Sequence, residues 1–252
     1  MGASMTRTDN LNVKIFADGA DLDGIRKLAQ NPLIKGFTTN PTLMRKAGVS
    51  DYAAFAGDML DVIGGAPVSF EVFADGFDEM EAQALEIASW GDNVYVKIPI
   101  TNTRGKSSVP LVGRLSAQKV QVNITAMMTL DQVRAVAEVL HEETPAVVSV
   151  FAGRIADTGV DPVPLMREAA SILKSRPKAE LLWASPRELL NIFHADEVGC
   201  HIITVTHDLL GKLSGVGKDL DQFSLETVEM FYRDASAAGY TIATDTKASA
   251  TG

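Results

Sequence analysis

The segment "VYVKIPIT", residues 94–101, combines the pattern of a buried strand with a charge that such a strand does not need. Its β-branched and aromatic residues are typical of a strand covered on both faces, and Pro99 closes the run. Lys97 lies in the middle. Because an unpaired charge is costly to bury, Lys97 must either pair with a carboxylate or have a chemical role.

Outward from this segment, short β-rich runs alternate with longer stretches of helical period in both directions. The runs are "VKIFAD" (13–18), "GFTT" (36–39), "PVSFEVF" (67–73), "VYVKIPI" (94–100), "VQVNI" (120–124), "AVVSVF" (146–151), "ELLWAS" (180–185) and "HIITV" (201–205). Strict alternation implies parallel strands joined by crossover helices. Eight such units in roughly 200 residues favour an α/β fold of the closed (β/α)8 TIM-barrel type over an open doubly wound sheet.

No linker or second composition interrupts this pattern, so we predict one catalytic domain over residues 12–240. It includes an additional C-terminal helix near residues 222–238. Residues 1–11 are expected to be a disordered leader or an expression scar, because Met5 lies inside a stretch of small residues. Residues 241–252 are expected to be a flexible tail.

The composition narrows the class of protein. A net charge of −9 in 252 residues argues against nucleic acid or an anionic membrane surface as the main partner. No apolar stretch reaches the roughly 18 residues of a transmembrane helix. Cys200 is the only cysteine, so no internal disulfide can form, and a cytoplasmic enzyme is expected. His194, His201 and His207 fall on different elements, so we expect no metal site.

Polar residues concentrate at the C-terminal ends of the predicted strands, where barrels carry their functional residues. Seven of the eight units contribute, and the residues are Asp18, Asn40, Glu71, Lys97, Asn123, Thr125, Ser149, Arg154, Ser185 and Arg187. The sequence therefore predicts one site at this rim of the barrel.

Lys97 is the candidate nucleophile of this site. A neutral amine attacks a carbonyl, and burial disfavours the ammonium form. The resulting Schiff base is an electron sink for breaking or forming a C–C bond. The alternative is a structural ion pair with Glu71 or Asp18.

The remaining rim residues suggest partners for such chemistry. Asp18 could take a proton from a substrate hydroxyl; the alternative is a helix N-cap, for which Asp21 is better placed. Glu71 and Thr125 could hold a water for imine formation and hydrolysis. Arg154 and Arg187, with the hydroxyl of Ser185, could bind a phosphate, although surface salt bridges are the alternative for either arginine.

A family resemblance rests on seven segments. "FADGAD", "GFTTNPTL", "VSFEVFA", "NVYVKIPIT", "VNIT", "SVFAGRI" and "WASPRE" occur in the order and spacing of the transaldolase family, over roughly residues 13–210. The resemblance implies a (β/α)8 barrel and class I aldolase chemistry on sugar phosphates, with no metal and no cofactor.

The resemblance also implies a role for each rim residue. Lys97 would form the Schiff base, Asp18 would be the acid/base for the C4 hydroxyl, and Glu71 with Thr125 would hold the catalytic water. The dihydroxyacetone part would bind Asn40, Asn123 and Ser149, and the phosphate would bind Arg154, Ser185 and Arg187. The implied reaction, a step of the pentose phosphate pathway, moves dihydroxyacetone from a ketose phosphate such as fructose 6-phosphate to an aldose phosphate such as erythrose 4-phosphate.

Two positions separate the subgroups of this family. Fructose 6-phosphate aldolases, which release free dihydroxyacetone, carry Gln in place of Glu71 and Tyr in place of Phe151. Phe151 has no hydroxyl to deliver water or a proton, so as a gating aromatic it should protect the enamine for transfer. Both positions favour a transaldolase, with an aldolase of that type or an enzyme for an unusual sugar as alternatives. A non-catalytic phosphosugar-binding protein would not need Lys97, Asp18 and Glu71 together.

The chain departs from the family pattern in places. Val150 follows Ser149 where the family usually has proline, and the loop after Lys97 is longer than in short members. We hypothesise that Arg104 and Lys106 in this loop contact the far end of the substrate; the alternative is two solvated cations. Short family members form rings through the terminal helix, whereas longer ones are dimers or monomers, so a homo-oligomer, dimer or ring, is compatible with the sequence.

Overall fold

The computed structural model describes residues 7–244, and in this part of the chain eight parallel strands close into a barrel. Each strand pairs with the next, and β8 closes on β1 with Lys14 opposite Ile202 and Asp18 opposite Thr206. The strands are β1 Lys14–Asp18, β2 Ile34–Thr38, β3 Val68–Glu71, β4 Val94–Pro99, β5 Val122–Met127, β6 Ala146–Val150, β7 Ala179–Trp183 and β8 Ile202–Thr206. The predicted TIM barrel is confirmed.

Helices connect the strands and cover the outside of the barrel. Within residues 7–244 they are α1 Leu22–Ala29, α2 Pro41–Lys46, α3 Tyr52–Ile63, α4 Phe77–Ala88, α5 Val109–Ala117, α6 Leu130–Val139, α7 Ala152–Ala156, α8 Pro162–Leu173, α9 Leu190–Glu197, α10 His207–Leu210 and α11 Leu220–Ala237. The sequence pattern predicts one helix after each strand and a short helix from Pro186. The structure differs in three places: α3 and α7 are additional, and α9 begins only at Leu190.

Apolar side chains fill two regions. The larger core lies between the strands and the surrounding helices. A smaller cluster, which includes Phe16, Val147 and Ile202, lies apart from it. Gly36 allows the close approach of β2 to this cluster, because a Cβ there would lie 2.5 Å from the Phe16 ring. Polar residues at the C-terminal ends of the strands are thus carried on a packed scaffold.

The ends of the chain differ in character. Arg7–Asn10 forms a 3-10 turn, whereas residues 1–6 and 245–252, which hold most of the predicted leader and tail, lie outside the described residues. The predicted C-terminal helix is α11, and none of its residues is buried. No helix within residues 7–244 is both long enough and apolar enough to cross a membrane.

Candidate active site

A cavity of about 480 Å³ opens at the C-terminal ends of the strands. The structure brings every site residue predicted from the sequence to its wall: Asp18, Asn40, Glu71, Lys97, Asn123, Thr125, Ser149, Phe151, Arg154, Ser185 and Arg187. They share one wall because all strands of a parallel barrel end at the same rim.

Lys97 is buried near the end of β4, with a fractional exposure of 8%. Its Nζ donates a hydrogen bond to the backbone oxygen of Thr39 at 3.0 Å and lies 3.6 Å from Oε2 of Glu71. The ion pair foreseen as an alternative is therefore present. It is compatible with catalysis, since the amine also faces the cavity.

Asp18 ends β1 with both carboxylate oxygens engaged. Oδ1 accepts from Oγ1 of Thr38 at 2.8 Å, and Oδ2 accepts from Nδ2 of Asn40 at 3.2 Å. The Thr38 hydroxyl is in turn 2.5 Å from that of Thr204. Burial raises the pKa of Asp18, although the charge of Lys97 opposes this. The carboxyl group is thus held in one orientation, with an increased affinity for a proton.

Asn40 has a second task that the sequence analysis missed. Its Oδ1 accepts from the backbone N–H of Leu43 at 2.9 Å and so caps α2. The cap aims the amide nitrogen at Asp18. At the preceding helix, Asp21 caps α1 as expected. Its carboxylate accepts from the N–H of Gly24 at 2.9 Å.

Glu71, at the end of β3, and Thr125, near the end of β5, both face the cavity. Burial raises the pKa of Glu71, and the charge of Lys97 lowers it. The Thr125 hydroxyl is buried and has no hydrogen-bond partner among the described residues. A buried hydroxyl normally has a partner, so Thr125 is available to a bound molecule.

Asn123 and Ser149 belong to a chain of side-chain hydrogen bonds that joins β6, β5 and β3 inside the barrel. The Ser149 hydroxyl donates to Oδ1 of Asn123 at 2.7 Å, and Nδ2 of Asn123 donates to Oγ of Ser69 at 2.9 Å. The chain fixes which end of the Asn123 amide faces each neighbour. Ser69 was not predicted as part of it.

Two arginines follow the later strands of the barrel. Arg154 lies after β6, and Arg187 lies after β7. Nε of Arg187 donates to Oδ1 of Asp157 at 2.9 Å, and Nη2 donates to the other carboxylate oxygen. The guanidinium carbon of Arg154 lies 5.5 Å from the ring centroid of Phe151. Ser185 has a positive φ of 57°. Both cations line the cavity and can meet an anionic group there.

Comparison with known proteins decides the family. Residues 15–249 match the family model described as Transaldolase/Fructose-6-phosphate aldolase. The chain belongs to this family. The resemblance inferred from its motifs is confirmed, and the protein is an enzyme.

Transaldolase-family relatives match most of the chain. A "Probable transaldolase" of Dehalococcoides mccartyi is 34% identical over 79% of this chain and 88% of its own length. One from Streptococcus agalactiae is 32% identical over 84% of this chain and 99% of its own length. A "Probable transaldolase 2" of Listeria monocytogenes is 32% identical over 80% of this chain and 88% of its own length.

Solved structures show the fold alone. A protein of the dihydrodipicolinate synthase family from Coccidioides immitis superposes with a TM-score of 0.59 at 13% identity, over 95% of this chain and 81% of its own. A 2,3-dimethylmalate lyase superposes with a TM-score of 0.54 at 12% identity, over 98% of this chain and 93% of its own.

The long loop of this transaldolase-family member carries the two cations hypothesised to contact the far end of the substrate. Neither Arg104 nor Lys106 lines the cavity. Nη2 of Arg104 is 3.8 Å from Oδ2 of Asp75, and Oδ1 of Asp75 accepts from the N–H of Thr103 at 2.7 Å. The loop is thus held on the segment that follows β3, and the contact of its cations with a substrate stays a prediction.

The histidines do not gather in the transaldolase-family barrel. Nδ1 of His201 accepts from the backbone N–H of Leu181 at 3.0 Å. Within the described part of the chain, no group of three or more histidine, cysteine, aspartate or glutamate side chains could hold a metal ion.

Gly153 allows α7, which carries Arg154, to lie close to the segment after β7 that carries Arg187. A Cβ at this position would lie 1.5 Å from the backbone oxygen of Ser185. We expect Gly153→Ala to lower the free energy of unfolding by at least about 1–3 kcal/mol, because one of the two segments must move. Urea unfolding measures the loss.

Gly57 offers a matched control for this change. It lies inside α3, and nothing lies within 4 Å of a Cβ built there. Gly57→Ala should leave stability unchanged or increase it, since alanine favours the helix. Equal urea midpoints for Gly153→Ala and wild type would contradict the steric argument.

Proposed function

We propose that this enzyme is a transaldolase that moves a dihydroxyacetone unit from a ketose phosphate to an aldose phosphate through a Schiff base on Lys97. The proposal is supported above all by the surroundings of Lys97. Its buried amine lies against Glu71 in a cavity that also presents Asp18 and two arginines. Such a set matches imine chemistry on an anionic sugar better than binding alone.

The first half of the reaction builds the imine. Nζ of Lys97 attacks the C2 carbonyl of the ketose phosphate and gives a carbinolamine. Loss of water then gives the protonated imine, with Glu71 and Thr125 holding the water and moving its proton. A carboxyl group with a raised pKa suits this exchange, because it holds a proton more readily than an ordinary glutamate and can return it.

The second half exchanges the aldoses. Asp18 takes the proton of the C4 hydroxyl, the C3–C4 bond breaks, and its electrons pass into the imine to form an enamine. The first aldose phosphate leaves. The enamine carbon then attacks the aldehyde of the acceptor, Asp18 returns the proton to the new hydroxyl, and hydrolysis frees the product from Lys97.

The rest of the cavity would hold the substrate. We assign the dihydroxyacetone hydroxyls to Asn40, Asn123 and Ser149, whose amides and hydroxyl lie on the same wall. We assign the phosphate to Arg154, Ser185 and Arg187. Because phosphorylated sugars carry charges that a bilayer excludes, we place the reaction in the cytoplasm.

Phe151 supports transfer rather than simple cleavage. It lines the cavity and brings no hydroxyl to it, so it offers neither a proton nor a site for water beside the enamine. An apolar wall at this point should keep the enamine until an acceptor arrives.

One assay tests the function. The enzyme is incubated with fructose 6-phosphate and erythrose 4-phosphate, and the products are separated by mass. A seven-carbon ketose phosphate supports transfer. Release of free dihydroxyacetone, with or without the acceptor, favours the aldolase alternative. Phosphosugar binding with no product from a panel of ketoses would favour the non-catalytic alternative.

We further propose that α11 packs on a second copy of the chain in a homo-oligomer. Phe223, Leu225, Val228, Phe231 and Tyr232 are each more than half exposed on this helix. A helix with so much exposed apolar surface gains little from folding alone and usually marks a contact site.

Phe231→Glu tests this contact. The added charge should shift the protein towards the monomer in light scattering coupled to size-exclusion chromatography, because a carboxylate is costly to bury in an apolar interface. Ser236→Glu adds the same charge to the same helix without removing an apolar side chain and should keep the wild-type mass. A monomeric wild type would contradict the proposal.

A further inference from the structure

The hydrogen-bond ladder between β2 and β3 stops beside Lys97. The N–H of Phe37 bonds the backbone oxygen of Pro67 at 2.8 Å, and the N–H of Thr39 bonds that of Ser69 at 3.3 Å. Parallel strands repeat such bonds evenly along the ladder. The next one would join the N–H of Glu71 to the carbonyl of Thr39, yet both groups have other partners.

Tyr52 forms hydrogen bonds with both backbone polar groups of Glu71. Its hydroxyl accepts from the N–H of Glu71 at 2.7 Å and donates to the carbonyl of Glu71 at 3.1 Å. The ladder could not satisfy this carbonyl, because the residue due to face it is Pro41, which has no N–H. One phenol therefore replaces two missing ladder bonds at the end of β3.

The phenol is held rigidly at the start of α3. Its ring centroid lies 4.6 Å from that of Phe73, 5.5 Å from that of Trp90 and 6.1 Å from that of Phe70. Burial raises the pKa of Tyr52, so the hydroxyl keeps its proton and remains a donor. Both bonds to Glu71 are therefore maintained at neutral pH.

The carbonyl of Thr39 is left for Lys97. It accepts from Nζ at 3.0 Å, closer than the carboxylate of Glu71 at 3.6 Å. A carbonyl accepts an N–H from a neutral amine as well as from an ammonium. This bond can therefore aim Nζ in either state and leave the lone pair of the neutral amine free for attack.

We propose that Tyr52 is a positioning residue for the reaction: by holding the backbone N–H and carbonyl of Glu71, it keeps the Thr39 carbonyl open for Lys97. The inference rests on the proposed Schiff-base function. Without the phenol hydroxyl, the N–H of Glu71 is left with its regular ladder partner, the Thr39 carbonyl, as acceptor. This N–H then competes with Lys97 for the Thr39 carbonyl and shifts the direction of the Nζ bond, and the carboxylate of Glu71 moves with its backbone.

Tyr52→Phe tests the proposal through the rate of imine formation. Enzyme and fructose 6-phosphate are mixed, quenched with borohydride at set times, and the adduct on Lys97 is measured by mass spectrometry. We expect formation to slow at least about 10-fold, towards the roughly 100-fold that a displacement of about 1 Å can cost. KM should stay within about twofold of wild type, because no predicted substrate contact is removed.

Tyr95→Phe is the matched control. It removes a phenol hydroxyl from the same strand as Lys97, and Tyr95 does not line the cavity. Its imine should form at the wild-type rate. Urea unfolding of all three proteins separates stability from positioning.

The outcomes are distinct. A folded Tyr52→Phe protein that forms the imine at the wild-type rate, even with lowered stability, would overturn the positioning role alone. A slowed rate shared by Tyr95→Phe would also overturn it. Absence of any adduct in the wild type would overturn the proposed function and this inference with it.

Discussion

Replacement of Lys97 by methionine is expected to abolish the borohydride adduct and to lower kcat by roughly 10⁴-fold or more, as loss of a covalent nucleophile does elsewhere. Methionine fills a similar unbranched volume in the buried end of β4 but cannot form an imine. The fold should persist, because the backbone pairing of β4 with β3 and β5 does not depend on this side chain. Mass spectrometry after reduction with fructose 6-phosphate measures the adduct, and circular dichroism checks the fold.

Lys106→Met is the control for this change. It makes the same replacement in the loop that follows β4, outside the cavity. It should keep full activity and the adduct, which also tests whether this loop contributes to substrate binding. If the Lys97→Met protein still forms an adduct that borohydride makes stable, the Schiff base belongs to another lysine.

Asp18→Asn is expected to separate imine formation from C–C cleavage. The amide cannot take the proton of the C4 hydroxyl, so transfer should fall by roughly 10²–10⁴-fold. The amine of Lys97 is untouched, and its imine should still form. Borohydride should therefore trap a six-carbon adduct in the variant, whereas the wild type also gives the three-carbon adduct left after cleavage. A three-carbon adduct at the wild-type rate would assign the base to another residue.

The same variant should change how stability depends on pH. Burial raises the pKa of Asp18 above its ordinary value of 3.8, so over the interval above this value the folded protein holds a proton that the unfolded chain has lost. The contribution of this group to the free energy of unfolding is therefore complete below the ordinary pKa. It is lost as the pH rises through the higher pKa of the folded state. Asp18→Asn removes this contribution.

Urea unfolding between about pH 4 and about pH 7 measures the difference. The wild type should lose more stability over this interval than Asp18→Asn does. Asp23→Asn, an exposed change in the first turn of α1, should follow the wild type. Identical pH dependence in Asp18→Asn and wild type would contradict a buried, proton-binding carboxyl group.

The sequence predicted which residues line the cavity better than it predicted the residues that support them. Strand ends of a parallel barrel converge whatever the helices do, so Asp18, Lys97 and Ser149 could be placed together from strand order alone. Tyr52 could not, because it acts from a helix and reaches Glu71 across 19 positions of the chain. Asp157 reaches Arg187 across 30. Such pairs depend on how helices dock, which periodicity does not encode.

One missed element did leave a pattern. The helix α3 follows the N-cap Asp51, and its buried residues include Phe55, Met59 and Ile63 at the i, i+4, i+8 spacing of one helix face. The short α7 left none, because a helix of five residues is too brief for a period to emerge. The late start of α9 at Leu190 is likewise a boundary that propensity does not fix.

The pair formed by Arg187 and Asp157 has a consequence for the cost of binding. An arginine side chain carries about 2 kcal/mol of rotamer entropy, and two hydrogen bonds to Asp157 remove part of this freedom before any ligand arrives. Arg154, against the ring of Phe151, is similarly restricted. That entropy is lost on folding rather than on each encounter. Under the proposed assignment of the phosphate to these arginines, the gain would be the same for a six-carbon donor and a four-carbon acceptor.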